Sequence, residues 1–208
     1  MTETTTWQKS NIQAFWNDAG SSGHLLQVYE NQRVFIDSLE GFAGTGMLAG
    51  NSIVIVAKDS TIHQLECRLR MHDFDLDKMT LTGQYIPVNA DNALGSFMRN
   101  GMPDEKRFNI FCNEVLARAK NHSLHIRIFG EMVVILLEQG NVEATISLER
   151  LWNKVCAREK LCLLCAYPQS QMHLHQHGCF DEICSCHTTE IGGWAKPSTE
   201  IFFKYVAV

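Results

Sequence analysis

The chain has 208 residues and a formal net charge of −5, long enough for one domain with a substantial core. An apolar fraction of 45% excludes a disordered chain, and the acidic balance offers no basic footprint for nucleic acid. The apolar runs, such as Met132 to Leu137, are too short to span a membrane, and the polar start lacks the basic and apolar stretches of a signal peptide.

A soluble, cytoplasmic protein is therefore expected, with no membrane contact and its eight cysteines kept as thiols. Residues 1–23 are polar, carry Trp7, Phe15 and Trp16 as isolated anchors, and end in Gly20-Ser21-Ser22-Gly23. They read as an N-terminal lead-in to a single domain over 24–208. Phe35, Leu39 and Phe42 have helical spacing, and Gly44, Gly46 and Gly50 then precede the buried-type strand Ile53–Ala57. A helix follows, with Ser60 or Thr61 as N-cap and Ile62, Leu65 and Leu69 facing inward. Tyr85–Asn89 reads as a second strand, Asp91 to Met98 as a short helix, and Asn100-Gly101-Met102-Pro103 as a break. From Asp104 a longer helix carries Phe108, Cys112, Val115 and Ala119 on one stripe. Leu124–Phe129 is a third strand, Gly130–Leu137 a helix, and Ala144, Leu148, Leu151 and Val155 mark another. Leu161–Tyr167 is a fourth strand, and Ile201 to Tyr205 a last one, antiparallel at an edge. Strands separated by helices imply a three-layer α/β/α sandwich around a mostly parallel sheet.

Several segments carry a family resemblance. They are His24 with Tyr29-Glu30, the Gly46 to Ala57 turn and strand with His63 and Leu65, and Phe97-Met98 with Gly101 and Pro103-Asp104. Arg127-x-Phe129-Gly130-Glu131-Met132, Leu148-Glu149-x-Leu151-Trp152-Asn153, Leu164-Cys165-Ala166-Tyr167-Pro168 and Ile183-Cys184-x-x-His187 complete the set. Together they resemble the MEDS domain, the methanogen/methylotroph DcmR-type sensory domain. The resemblance implies a RecA/KaiC-like α/β fold and a non-enzymatic sensory role. It also implies a small hydrocarbon-derived ligand, a signalling partner such as a kinase or transcription regulator, and possible homo-oligomers. No output module is recognisable in the chain.

In RecA-like ATPases a glycine-rich loop after the first strand cradles phosphate with backbone amides. Here that stretch is Ala57-Lys58-Asp59-Ser60-Thr61-Ile62-His63, without glycine and with an acid where phosphate would lie. A degenerate phosphate loop follows, with no catalytic residues and no cofactor. The crevice at the carboxyl ends of the strands remains a ligand site, and its candidate binding residues are Lys58, His63, Asp91, Glu131 and Tyr167. Glu131 stands out because it directly follows the third strand, although a helix N-terminus also favours an acid there. Arg127, in mid-strand, is expected in a structural ion pair. Cys162 and Cys165 lie three apart in a strand and point to opposite faces, so they cannot chelate one ion. His173, His175, His177 and Cys179, followed by Cys184, Cys186 and His187, carry metal-ligating side chains but lack zinc-ribbon spacing. No metal is expected. The other readings are a divergent nucleotide-binding ATPase relative, and a metal or thiol-redox sensor built on 173–187.

Overall fold

A computed structural model describes residues 8–11, 15–16, 23–172, 178–193 and 200–205. Its strands are β1 (Gln8–Asn11), β2 (Gly23–Tyr29), β3 (Ser52–Ala57), β4 (Tyr85–Asn89), β5 (Met98–Arg99), β6 (Met102–Pro103), β7 (Ile126–Gly130), β8 (Cys162–Pro168), β9 (Thr189–Gly193) and β10 (Glu200–Tyr205). Its helices are α1 (Gln32–Leu48), α2 (Asp59–Met71), α3 (Leu76–Thr82), α4 (Ala90–Phe97), α5 (Glu105–Lys120), α6 (Met132–Glu138), α7 (Val142–Glu159), α8 (Gln169–Met172) and α9 (Cys179–Ser185). Strand β3 is buried at every position, and its alternation divides the core. Ile53, Ile55 and Ala57 pack with α1, α2 and α3, whereas Val54 and Val56 pack with α4 to α7 and α9. Helices therefore flank the sheet on both faces.

The main sheet runs β1-β10-β9-β2-β8-β7-β3-β4. All pairings from β9 to β4 are parallel; those of β10 with β9 and with β1 are antiparallel. The four strands expected from the sequence are adjacent and mutually parallel, and the third begins at Ile126 rather than Leu124. The last strand is antiparallel as expected. It is not at the edge, because β1 pairs along its outer side. Strand β2 was not legible as a strand, yet it lies between β8 and β9 in the middle of the sheet.

Two further differences bear on the site. Arg127 makes no ion pair among the described residues. Its guanidinium donates to the Trp16 and Phe42 carbonyls at 2.8 and 2.9 Å and to Thr45 Oγ1 at 2.9 Å, so it ties residue 16 and α1 to the sheet. Helix α2 begins two or three residues earlier than expected, with Lys58 at the N-cap and no side-chain cap bond from that residue. Glu131, just after β7, instead accepts the Lys58 N–H and the Thr61 hydroxyl. No described helix is long and apolar enough to cross a membrane.

Candidate functional site

The turn from β3 into α2 leaves backbone amides pointing outward, as every helix start does. Glu131, directly after β7, fills that position. Its Oε2 accepts the Lys58 backbone N–H at 2.7 Å and its Oε1 accepts the Thr61 hydroxyl at 3.1 Å. The register makes this possible: Val56 pairs with Gly130, and the Glu131 N–H donates to the Val56 carbonyl at 2.8 Å, which sets the carboxylate beside the next turn. Burial raises the pKa of Glu131 despite the two hydrogen bonds that favour the anion. The carboxylate thus sits at the β3–α2 turn, bonded to the N-cap N–H and to a first-turn hydroxyl.

The five residues selected from the sequence do not all meet. Lys58 and Glu131 come together through the N–H bond, and the Lys58 ammonium reaches Glu138 at 2.7 Å. Tyr29, not selected, belongs with them: burial raises its pKa, and Glu131 and Glu138 add to the shift. Asp91 is exposed in the first turn of α4 and acts electrostatically on Lys58. The N-cap of α4 is Asn89, which accepts from the Asn92 N–H and donates to Asp59. His63 is on the exposed side of α2, against Cys67. Tyr167 is fully buried and bonded elsewhere. Beside the carboxyl end of β4 a groove of about 410 Å³ runs between α4 and α5, with Val88, Ala93 and Phe111 as apolar lining and Arg107 and Glu114 as polar lining.

Tyr167 belongs to a second constellation, under α7. Its hydroxyl donates to Glu149 Oε1 at 2.5 Å, and His24 Nε2 lies 3.2 Å from Glu149 Oε2. Cys165 Sγ is 3.5 Å from His24 Nε2 and 3.6 Å from Glu149 Oε2, and His187 Nε2 is 3.5 Å from Glu149 Oε1. The two imidazoles lie with ring centres 3.9 Å apart. Nδ1 of His24 is 2.9 Å from the Cys186 carbonyl, and Nδ1 of His187 is 2.7 Å from the Ile183 carbonyl. All five side chains are buried. Burial and the neighbouring Glu149 push the Cys165 thiol and the Tyr167 phenol well above their ordinary ranges. Burial pushes His187 down to about 4.

Sequence reasoning did not assign His24, Glu149 or Cys165 to a site, and it named His187 only within the alternative 173–187 metal or redox cluster. Glu149 carries the one available signal, a carboxylate flanked by Leu148 and Leu151 on a helix whose apolar stripe is buried. The opposite-face reading of Cys162 and Cys165 agrees with their packing, Cys162 toward α1 and Cys165 toward α7. In the 173–187 segment, His173, His175 and His177 lie outside the described residues. Cys179 and Cys184 are in α9, and Cys186 supplies the carbonyl that faces His24.

The family described as "MEDS: MEthanogen/methylotroph, DcmR Sensory domain" matches residues 23–188. No curated protein sequence matches the chain. A solved protein from Pyrococcus horikoshii OT3 is similar in fold, with a TM-score of 0.55, 10% identity and 89% of each chain covered.

Proposed function

This chain belongs to the MEDS family, whose members are sensory rather than catalytic modules, and on that footing we propose that it senses a small, hydrocarbon-derived molecule. The bound state is passed to a protein partner, a kinase or a transcription regulator. The fold is read as a RecA/KaiC-like scaffold whose phosphate loop has been turned to another use. One observation carries the choice against a nucleotide: the Glu131 carboxylate is bonded to the Lys58 N–H and the Thr61 hydroxyl at the start of α2. A phosphate there would have to displace a carboxylate held by two hydrogen bonds, and would meet Asp59 in a turn without glycine.

The ligand is assigned to the carboxyl ends of the strands, where crossover connections open a cleft. Lys58 and Glu131 form its polar side, with Asp91 and His63 at its margin. The groove beside β4 is of small-molecule size but is lined by α4 and α5 and by none of these four residues. Tyr167 was selected for the same cleft, but its bond to Glu149 favours a structural role.

Extraction and mass spectrometry of freshly purified native protein test this reading. The expected result is a small, largely apolar molecule, whose binding weakens roughly ten- to hundredfold in Glu131→Gln. Recovery of a nucleotide, or ATP turnover above background that vanishes in Lys58→Ala, overturns it.

A further inference from the structure

We propose that His24, Glu149, Cys165 and His187 form a closed, four-coordinate site for a divalent transition metal of the zinc class. The donor atoms of these four residues all lie within 4.8 Å of one another. Tetrahedral zinc, with bonds of about 2.0–2.2 Å to nitrogen or oxygen and about 2.3 Å to sulfur, separates its ligands by about 3.3–3.7 Å along the edges. Three of the six edges agree, 3.2 Å from His24 to Glu149, 3.5 Å from His24 to Cys165 and 3.6 Å from Cys165 to Glu149, and those to His187 lie within 4.8 Å.

Hydrogen bonding points the same way. The Ile183 and Cys186 carbonyls can only accept, so Nδ1 of each imidazole carries a proton and donates it. With both rings neutral, each Nε2 turns a lone pair toward the carboxylate and the thiol, and His187 Nε2 has no hydrogen-bond partner although its side chain is fully buried. Protonating both rings would place two cations face to face at 3.9 Å. A metal ion resolves the conflict by accepting all the lone pairs. Nδ1–H to a backbone carbonyl is also how metal-bound histidines are oriented. The Tyr167 hydroxyl holds Glu149 Oε1 and leaves Oε2 turned toward His24 and Cys165.

Charge closes the argument. On binding, the Cys165 thiol gives up its proton to solvent, so one thiolate and one carboxylate neutralise a dication between two neutral imidazoles. A neutral unit suits burial far better than its separate ions. One thiolate and two imidazoles favour zinc over magnesium or calcium, which take oxygen ligands. With every position filled by protein, the ion serves structure, not catalysis. The site departs from the sequence expectation of no metal and involves neither histidine tract nor zinc-ribbon spacing.

The experiment uses the full chain, purified without an affinity tag, and probes it with metal alone. One zinc per chain is expected by elemental analysis. Refolding the stripped chain with Co²⁺ should give tetrahedral d–d bands and a thiolate-to-cobalt charge-transfer band. Cys165→Ser should lose the charge-transfer band, whereas a His173→Ala, His175→Ala, His177→Ala triple variant should keep the full spectrum. X-ray absorption on the unmutated zinc protein covers the case in which Cys165→Ser does not fold, and should show one sulfur and two imidazoles. The inference is overturned by a metal-free chain that takes up no Co²⁺, which leaves an imidazolium–carboxylate cluster. Loss of metal in the triple variant, or a shell with no sulfur or more than one, also overturns it.

Discussion

At the scale of single residues, two buried glutamates do different work, and only one was visible in the sequence. Glu131 could be singled out because a carboxylate directly after a buried strand lies at a strand end, where the fold puts ligands. Its actual partners, the Lys58 N–H and the Thr61 hydroxyl, depend on the β3–β7 register and could not be read locally. They predict an asymmetry between two substitutions. Glu131→Gln can keep both bonds, since its carbonyl accepts from Lys58 and its amide donates to a Thr61 hydroxyl turned round; it should cost under about 1 kcal/mol. Glu131→Ala leaves the partly buried Lys58 N–H and the buried Thr61 hydroxyl without this acceptor and should cost about 1–3 kcal/mol, measured by urea denaturation. The raised pKa of Glu131 adds a pH signature. Because the folded-state pKa lies above the unfolded one, ionisation costs stability, so the carboxyl's contribution is greatest below the ordinary carboxyl range and declines as pH rises through the raised value. Glu131→Gln should lack that part of the slope; a parallel pH profile in the two proteins would mean that the group ionises freely in the fold. Glu149 was hidden for the opposite reason. Its polarity suggests a solvent-facing helix position, and only the tertiary contacts of α7 with β2 and β8 bury it.

At the scale of elements, period and length made β3, β4, β7 and β8 legible, because strands buried on both faces are continuous apolar runs. Strand β2 escaped because His24 and Gln27 interrupt its apolar pattern, although both are buried. Polar residues inside a central strand mark a site rather than a loop, and His24 is the one that faces the proposed metal. The ion pair expected for Arg127 failed on the same kind of information: its partners are carbonyls of residues 16 and 42, which leave no trace in the sequence. The fit of α1 against the sheet offers a direct test. A Cβ on Gly46 would lie 2.6 Å from Ile53 Cδ1 and 2.9 Å from Arg127 Cδ, and both neighbours are buried and held. Gly46→Ala would normally favour a helix interior, but here the contact should force α1 off β3 and destabilise by about 1–3 kcal/mol. A stability equal to or above that of the parent, with α1 still helical, would mean that Arg127 moves aside at little cost.

At the scale of the whole molecule, the proposed metal lies where two parts of the sheet meet. Its ligands come from β2, α7, β8 and His187, two residues before β9, so the ion fastens the chain where it enters β9, the last parallel strand before the antiparallel pairs with β10 and β1. The parallel half has its own support. Strands β3 and β7 are buried at every position between two helical layers, with no ligand among them. The region after α9 depends more on local fastening: His187 is held by Ile183, Thr188 donates to the His24 carbonyl at 2.7 Å, and β9 pairs in parallel with β2 alone on that side. Removing the metal should therefore loosen the molecule unevenly. Amide hydrogen exchange of the chelated protein is expected to rise in α9 and β9, which flank His187, while β3 and β7 keep their protection until global unfolding. Adding one equivalent of Zn²⁺ should restore the pattern, since an ion that binds only the folded state contributes its binding free energy to stability. Equal acceleration everywhere would make the ion a requirement for the entire core, and no change in α9 and β9 would mean that hydrogen bonds alone fasten this end of the sheet.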